Sequence, residues 1–235
     1  MAKPTISRIP TVVLFLLALF SCALTGCAAE REAAAWKPLF DGKTSAGWRQ
    51  FGKSEFPNHG WVVEDGCLHL LPHPEQLALV TTNTFTDFEL EWEWRIAAKA
   101  NNGLKYFVTE TRAETPGHEY QMVDEVAERG PKHATAAFYD VIAPQTTPHP
   151  KKPGSGEWNS SRVIVNGNHV EHWLNGEKVL SYELDSPELK AALAASKFRD
   201  IPEFGRKIRG PIMLTDHHGE TWYRNLRIRE LPAAK

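Results

Sequence analysis

The stretch DFELEWEWRI (87–96), continued by AAKANNG (97–103) and LKYFV (104–108), decides the fold. With the period of a strand, Phe88, Leu90, Trp92, Trp94 and Ile96 fall on one side, and Asp87, Glu89, Glu91, Glu93 and Arg95 on the other. Burying a large apolar side chain is worth about 1.5–3 kcal/mol, so five in alternation predict a central strand. Asn101-Asn102-Gly103 tolerates positive φ and predicts a reversal into Leu104–Val108 as the antiparallel partner. The opposite face, with Glu91 and Glu93, is either a solvated surface or a surface that meets a ligand. Leu104 and Val108 suit the core, so Lys105 is expected beside those carboxylates, where a cross-strand pair is worth about 0.2–1 kcal/mol.

Outward from this stretch the chain reads as short strands. Trp61 to Leu70 reads as two short strands about Asp65-Gly66, a hairpin signal, and Leu79 to Thr82 is a further short strand. Tyr120–Val123 and Ala137–Val141 are expected strands, followed by a loop over 143–156 rich in Pro, Thr, Lys and Gly. Arg162 to Leu184, interrupted by Asn166-Gly167 and Asn175-Gly176, predicts a three-strand meander. One short helix is expected near 186–198, opened by Ser186, Pro187 and Glu188. Strands at Ile212–Thr215 and Thr221–Leu231 flank Asp216-His217-His218-Gly219. The pattern is all-β, an antiparallel β-sandwich.

The first residues carry a different message. Lys3 and Arg8 precede an apolar run over 11–20, and Leu24-Thr25-Gly26-Cys27 has the form of a bacterial lipobox. The expectation is a lipoprotein signal peptide over 1–26, lipidation at Cys27, a tether over 27–35 and one domain over 36–235. Ala28-Ala29-Glu30 carries no inner-membrane retention signal, so the expected anchor lies in the outer membrane, facing the periplasm. With Cys27 lipidated, the mature chain keeps Cys67 and has no partner for it, so no intramolecular disulfide is expected. The net charge of −2 includes two basic residues of the leader. A nucleic-acid partner is therefore excluded on charge.

Several residues have the chemistry for a site. Alternation puts Glu119 and Gln121 on one face, opposite Tyr120 and Met122, and a carboxylate beside a carboxamide suits sugar hydroxyls. His169 and His172 lie three apart on a strand and point to opposite faces. Asp216 and His217 at a strand end suit acid/base work or a metal. Ten histidines occur without HExxH, HxH or a paired cysteine spacing, so there is no zinc signature. GxSxG, P-loop and Rossmann patterns are absent as well.

Taken in order, Leu39-Phe40-Asp41-Gly42-Lys43 with Gly47-Trp48, Val63-Glu64-Asp65-Gly66, Asp87-Phe88-Glu89-Leu90, Asn102-Gly103-Leu104 and Gly117 to Asp124 form a set of motifs. Gly156-Glu157-Trp158-Asn159, Trp173-Leu174-Asn175-Gly176, Gly210-Pro211-Ile212 and Arg224-Asn225-Leu226-Arg227-Ile228 complete it. Together they resemble the 3-keto-disaccharide hydrolase domain family, over nearly all of Trp36 to Leu231. His118 stands where that family's pattern has tyrosine. The resemblance implies a concanavalin-A-like jelly roll and cleavage of an oxidised, 3-keto mono- or disaccharide glycoside. A ketone at carbon 3 acidifies the carbon-2 proton, so the group on carbon 1 leaves by elimination through an enolate and water then adds. Implied for proton transfer are Glu119, His172 and His217, with Lys105, Gln121 or a bound divalent cation at the enolate. Glu91, Glu93, Lys105, Gln121, Asp124, Trp158, Asn159 and Asp216 are the implied substrate contacts. Two other readings remain at this point: a non-catalytic carbohydrate-binding sandwich, and a retaining glycosidase using Glu91 and Glu93. Carboxyls two apart on a strand sit roughly 6–7 Å apart, against about 5–5.5 Å for retaining enzymes.

Overall fold

The computed structural model describes residue 1 and residues 34–73, 75–112, 116–124, 130–147, 149–151 and 156–232. The expected signal peptide beyond residue 1, Cys27 and most of the tether lie outside the described residues. The strands, numbered along the chain, form two antiparallel sheets. The larger has eight strands, in the order β11 (Glu177–Glu183), β10 (His169–Leu174), β9 (Asn159–Asn166), β6 (Phe88–Ile96), β13 (Thr221–Glu230), β4 (Cys67–Leu70) and β3 (Trp61–Glu64), with β1 (Lys37–Pro38) also on β13. The smaller has five, in the order β2 (Trp48–Gln50), β5 (Leu79–Thr81), β12 (Met213–Leu214), β7 (Asn101–Tyr106) and β8 (His118–Val123). The expected jelly-roll sandwich is thus the observed fold.

Strand β6 is central, between β9 and β13, and Phe88, Leu90, Trp92 and Trp94 are almost completely buried. They meet Leu104 and Tyr106 of β7 and Tyr120 and Met122 of β8 in one core between the sheets. Trp92 packs edge-on against Tyr120 across that core, ring centroids 4.9 Å apart. The hairpin of β3 and β4 and the meander of β9, β10 and β11 form at their predicted turns. Helix α1 (Pro187–Ala194) is capped by Ser186, whose hydroxyl accepts from the Leu189 amide.

Three local expectations are corrected. First, β6 and β7 are not a hairpin: β6 pairs β9 and β13, whereas β7 pairs β12 and β8 in the other sheet. Residues 97–100 carry the chain from one sheet to the other, and Asn101-Asn102-Gly103 opens β7 instead of turning. Asn102 is fully buried. Its amide donates to Gly219 O and Thr221 Oγ1, both at 2.6 Å, and its carbonyl accepts from the His217 amide at 2.9 Å. Residues 215–220 make the return crossing alongside, so a Cβ on Gly219 would come within 2.7 Å of Ala100 Cβ. Second, Val108 is not in the main core. Phe107 has φ 53°, which breaks the alternation. Tyr106 and Phe107 both join the core, and Val108 turns to a small cluster with Val80 and Met213. Third, 137–141 forms only isolated bridges, Phe138 pairing with Tyr120 and Ile142.

Between the sheets lies a buried polar chain. Tyr106 OH meets His172 Nε2 at 2.7 Å and Tyr182 OH at 2.8 Å, and Tyr182 OH meets His118 Nδ1 at 2.9 Å. Burial favours the neutral imidazole and holds His172 down to about 4. Burial, reinforced by His172 and Arg112, holds His118 down to about 3. An unfolded histidine titrates near 6.5, so these groups stabilise the fold fully above that pH and lose it as pH falls toward 4 and 3. By pH 4 the loss is on the order of 5 kcal/mol. Urea midpoints measured between pH 7 and 4 should therefore fall steeply, and His118→Phe should flatten the fall. An identical slope in the variant would contradict this assignment.

Candidate active site

The outer face of the five-stranded sheet gathers charged groups into a hollow. Lys105 lies directly across from Glu119 in the register of β7 and β8, and Gly103 lies across from Gln121. Lys105 Nζ stands 3.3 Å from Glu119 Oε2, and His217 Nε2 is 3.8 Å from Glu119 Oε1. Gln121 donates to Asn101 Oδ1 at 2.8 Å. Glu119 is only 6% exposed. Burial alone would raise its carboxyl, but the Lys105 ammonium and the neighbouring His217 ring outweigh it and hold the pKa down to about 2.

Local sequence explains this arrangement. The Glu119 side chain lies across Gly103, where a Cβ would come within 2.4 Å of Oε1. Glycine is therefore required for close approach, which is distinct from the turn role expected of it. Thr215 Oγ1 accepts from the Gly103 amide at 2.6 Å, and Asn102 holds the His217 amide, so β7 sets both partners of Glu119. Asp216 points its carboxylate away from proton transfer. Oδ2 accepts from the Leu77 amide at 2.7 Å and lies 2.9 Å from His73 Nε2, while Oδ1 accepts from the His218 amide at 2.9 Å. Asp216 therefore fixes the loop that presents His217.

Walls complete a cavity of about 230 Å³ over Glu119, Gln121, Lys105 and His217, with Tyr139, Lys197 and Phe198 on the far side. Lys197 Nζ sits 4.2 Å from the Tyr139 ring centroid. A larger hollow of about 550 Å³ lies on the outer face of the eight-stranded sheet, lined by Glu91, Glu93, Arg162, Trp173 and Arg227 among others. Size favours that hollow; chemistry favours the smaller one. Glu91 accepts from Arg227 Nη2 at 2.6 Å and pairs with Arg162 Nε at 3.1 Å, and Glu93 accepts from Arg224 Nε at 2.6 Å. These carboxylates are already committed to arginines, whereas Lys105, Glu119 and His217 converge around one carboxylate at a cavity.

The structure thus divides the expected site residues. Lys105, Glu119, Gln121 and His217 come together, with Asp216 behind them. Glu91 and Glu93 face the opposite side of the sandwich, so Lys105 does not join them as expected. Trp158 lies on that side too, under the Arg224 guanidinium at 3.9 Å. Asn159 is buried, accepting from the Lys151 amide at 2.6 Å and from Asn175 Nδ2 at 3.1 Å. Asp124 accepts from the Lys99 amide at 2.6 Å at the end of β8. His172 is wholly inside the core, its Nδ1 at 2.8 Å from Ala136 O, and does not reach the hollow. Among the described residues no three His, Cys, Asp or Glu side chains converge to hold a metal ion. Asn101, Tyr139, Lys197 and Phe198 line the hollow without having been expected. Asn101 read as a turn residue, Tyr139 as part of an expected strand that forms only isolated bridges, and Lys197 and Phe198 as the end of a helix that stops at Ala194.

Residues 35–229 match the family described as the 3-keto-alpha-glucoside-1,2-lyase-like domain. The chain belongs to that family. It is 31% identical to the 3-keto-disaccharide hydrolase of Bacteroides thetaiotaomicron, over 85% of this chain and 80% of that one. A crystal structure described as a glycosyl hydrolase from Parabacteroides distasonis superposes with a TM-score of 0.75 at 30% identity, covering 84% of this chain and 95% of that one. The kappa-carrageenase of Pseudoalteromonas carrageenovora shares the fold alone, with a TM-score of 0.52 at 9% identity over 88% of this chain and 99% of that one.

Proposed function

We propose that this protein cleaves 3-keto-glycosides by elimination and hydration, and that the hollow of Lys105, Glu119, Gln121 and His217 is where it does so. The observation that carries the reading is the buried Glu119 carboxylate held between two cationic or protonatable groups. Family membership adds the chemistry, and the two names, lyase-like for the family and hydrolase for the relative, fit the two halves of one route.

Glu119 serves as the base for the carbon-2 proton. Paired with Lys105 it is a weak base, but burial pushes its carboxyl upward and Lys105 is the chief counterweight. When Lys105 turns to the substrate's carbonyl oxygen, Glu119 loses that counterweight and gains basicity where it is needed. The C2–H electrons enter the C2–C3 bond and negative charge collects on the carbon-3 oxygen, met by Lys105. The enolate then collapses: C3=O re-forms, C1=C2 forms and the C1–O bond breaks. His217, at the mouth, gives the leaving oxygen its proton. Water adds to C1 of the enone and a proton returns to C2, which completes a net hydrolysis.

The glycosidase reading fares worse. A retaining pair needs one carboxyl that can carry a proton, and Glu91 and Glu93 are both engaged by arginines. Matched 3-keto and unoxidised glucosides separate the readings. Release of the leaving group should require the ketone, and Glu119→Gln should slow it by at least about 100-fold. Equal or faster release from the unoxidised sugar would reject the proposal, and turnover of neither would favour a binding module.

Anchoring of the protein to the outer membrane, through lipid on Cys27, belongs to the same proposal and rests on the Leu24–Cys27 motif. The first residue of the protein recovered from membranes should be a lipid-modified Cys27 by mass; an unmodified N-terminus would remove the anchor.

A further inference from the structure

Beside the hollow lies a second cavity of about 160 Å³, and the two share Lys105 and His217. Their chemistries differ. Glu119 and Gln121 line the first, whereas the second has an apolar floor and an amide rim. Val80, Val108 and Met213 form a buried cluster on this outer face, with Phe51 and Ala78 against it, separate from the core between the sheets. Met213 lies opposite Val80 on one side and Lys105 on the other. The apolar floor therefore runs directly up to the charged pair.

At the rim stand Gln50 and Gln76, half-buried and exposed respectively. Neither side-chain amide makes a hydrogen bond within the described residues. An amide offers two donors and an acceptor, and a sugar ring offers hydroxyls at its edge with C–H groups on its face. An apolar floor with amides at the rim suits such a ring and is poorly used by a methyl group.

We infer that the smaller cavity is the leaving-group subsite, and that Gln50 and Gln76 select a second sugar ring there. This rests on the reading of Lys105, Glu119 and His217 as the reaction centre. The oxidised ring then occupies the larger hollow, its carbon-2 proton toward Glu119. The C1–O bond crosses the shared wall, and the leaving oxygen meets His217 as it enters the smaller cavity. The preferred substrate is a glycoside whose leaving group is itself polyhydroxylated.

The test compares a 3-keto-glucosyl-glucose disaccharide with methyl 3-keto-glucoside on the full-length protein. The quantity read is the ratio of kcat/KM for the two. In Gln50→Ala/Gln76→Ala the ratio should fall about 10-fold, as expected for losing two ordinary hydrogen bonds, chiefly through KM for the disaccharide. Ala78→Phe, which fills the floor, should lower the same ratio further; thermal melting reports whether each variant is folded. A ratio that stays at the wild-type value in both folded variants overturns the subsite assignment and leaves the reaction centre standing. A wild-type protein that turns over neither oxidised substrate removes the proposed function, and this assignment with it.

Discussion

The side chain of Asn102 ties the architecture to the chemistry. Its three hydrogen bonds, to Gly219 O, Thr221 Oγ1 and the His217 amide, join the two places where the chain passes between sheets. A fully buried amide left unpaired costs about 1–3 kcal/mol per polar group, so the crossings are held together or the fold is penalised. His217 thereby comes beside Glu119, although nearly 100 residues separate them. The neighbouring Gly103 leaves room for the Glu119 carboxylate, and Lys105, two residues on, neutralises it. One pentapeptide, Asn101 to Lys105, organises the hollow.

Much of the fold was legible because period-2 alternation is a local signal. Phe88 to Ile96 shows its core face without help, and the Asp65-Gly66, Asn166-Gly167 and Asn175-Gly176 turns lie where strands reverse. The same locality explains the errors. Asn101-Asn102-Gly103 has turn composition, yet Asn102 is consumed by long-range hydrogen bonds that only the tertiary structure supplies. Phe107 breaks the alternation through a positive φ that no hydrophobic pattern announces. The expected partnership of Lys105 with Glu91 and Glu93 failed with the hairpin on which it depended.

The site divides in the same way. Lys105, Glu119 and Gln121 share a face by alternation within β7 and β8, and their proximity follows once those strands pair. His217 joins them through a crossing that spacing does not reveal. His172 has the residue type of a catalytic group but sits on the inward face of β10, where burial keeps it neutral and structural. Tryptophans and arginines of the eight-stranded sheet stack on one another: Arg95 lies 5.1 Å from the Trp158 ring centroid and 4.4 Å from that of Trp222. That surface has a large hollow and little uncommitted chemistry.

The central claim is that the sugar binds on the five-stranded sheet, and backbone NMR during titration with 3-keto-glucose tests it most directly. The account predicts saturating shifts at Lys105, Glu119, Gln121 and His217, with Arg162, Trp173 and Arg227 unmoved. Shifts confined to Arg162, Trp173 and Arg227 would place the ligand on the opposite face and contradict it.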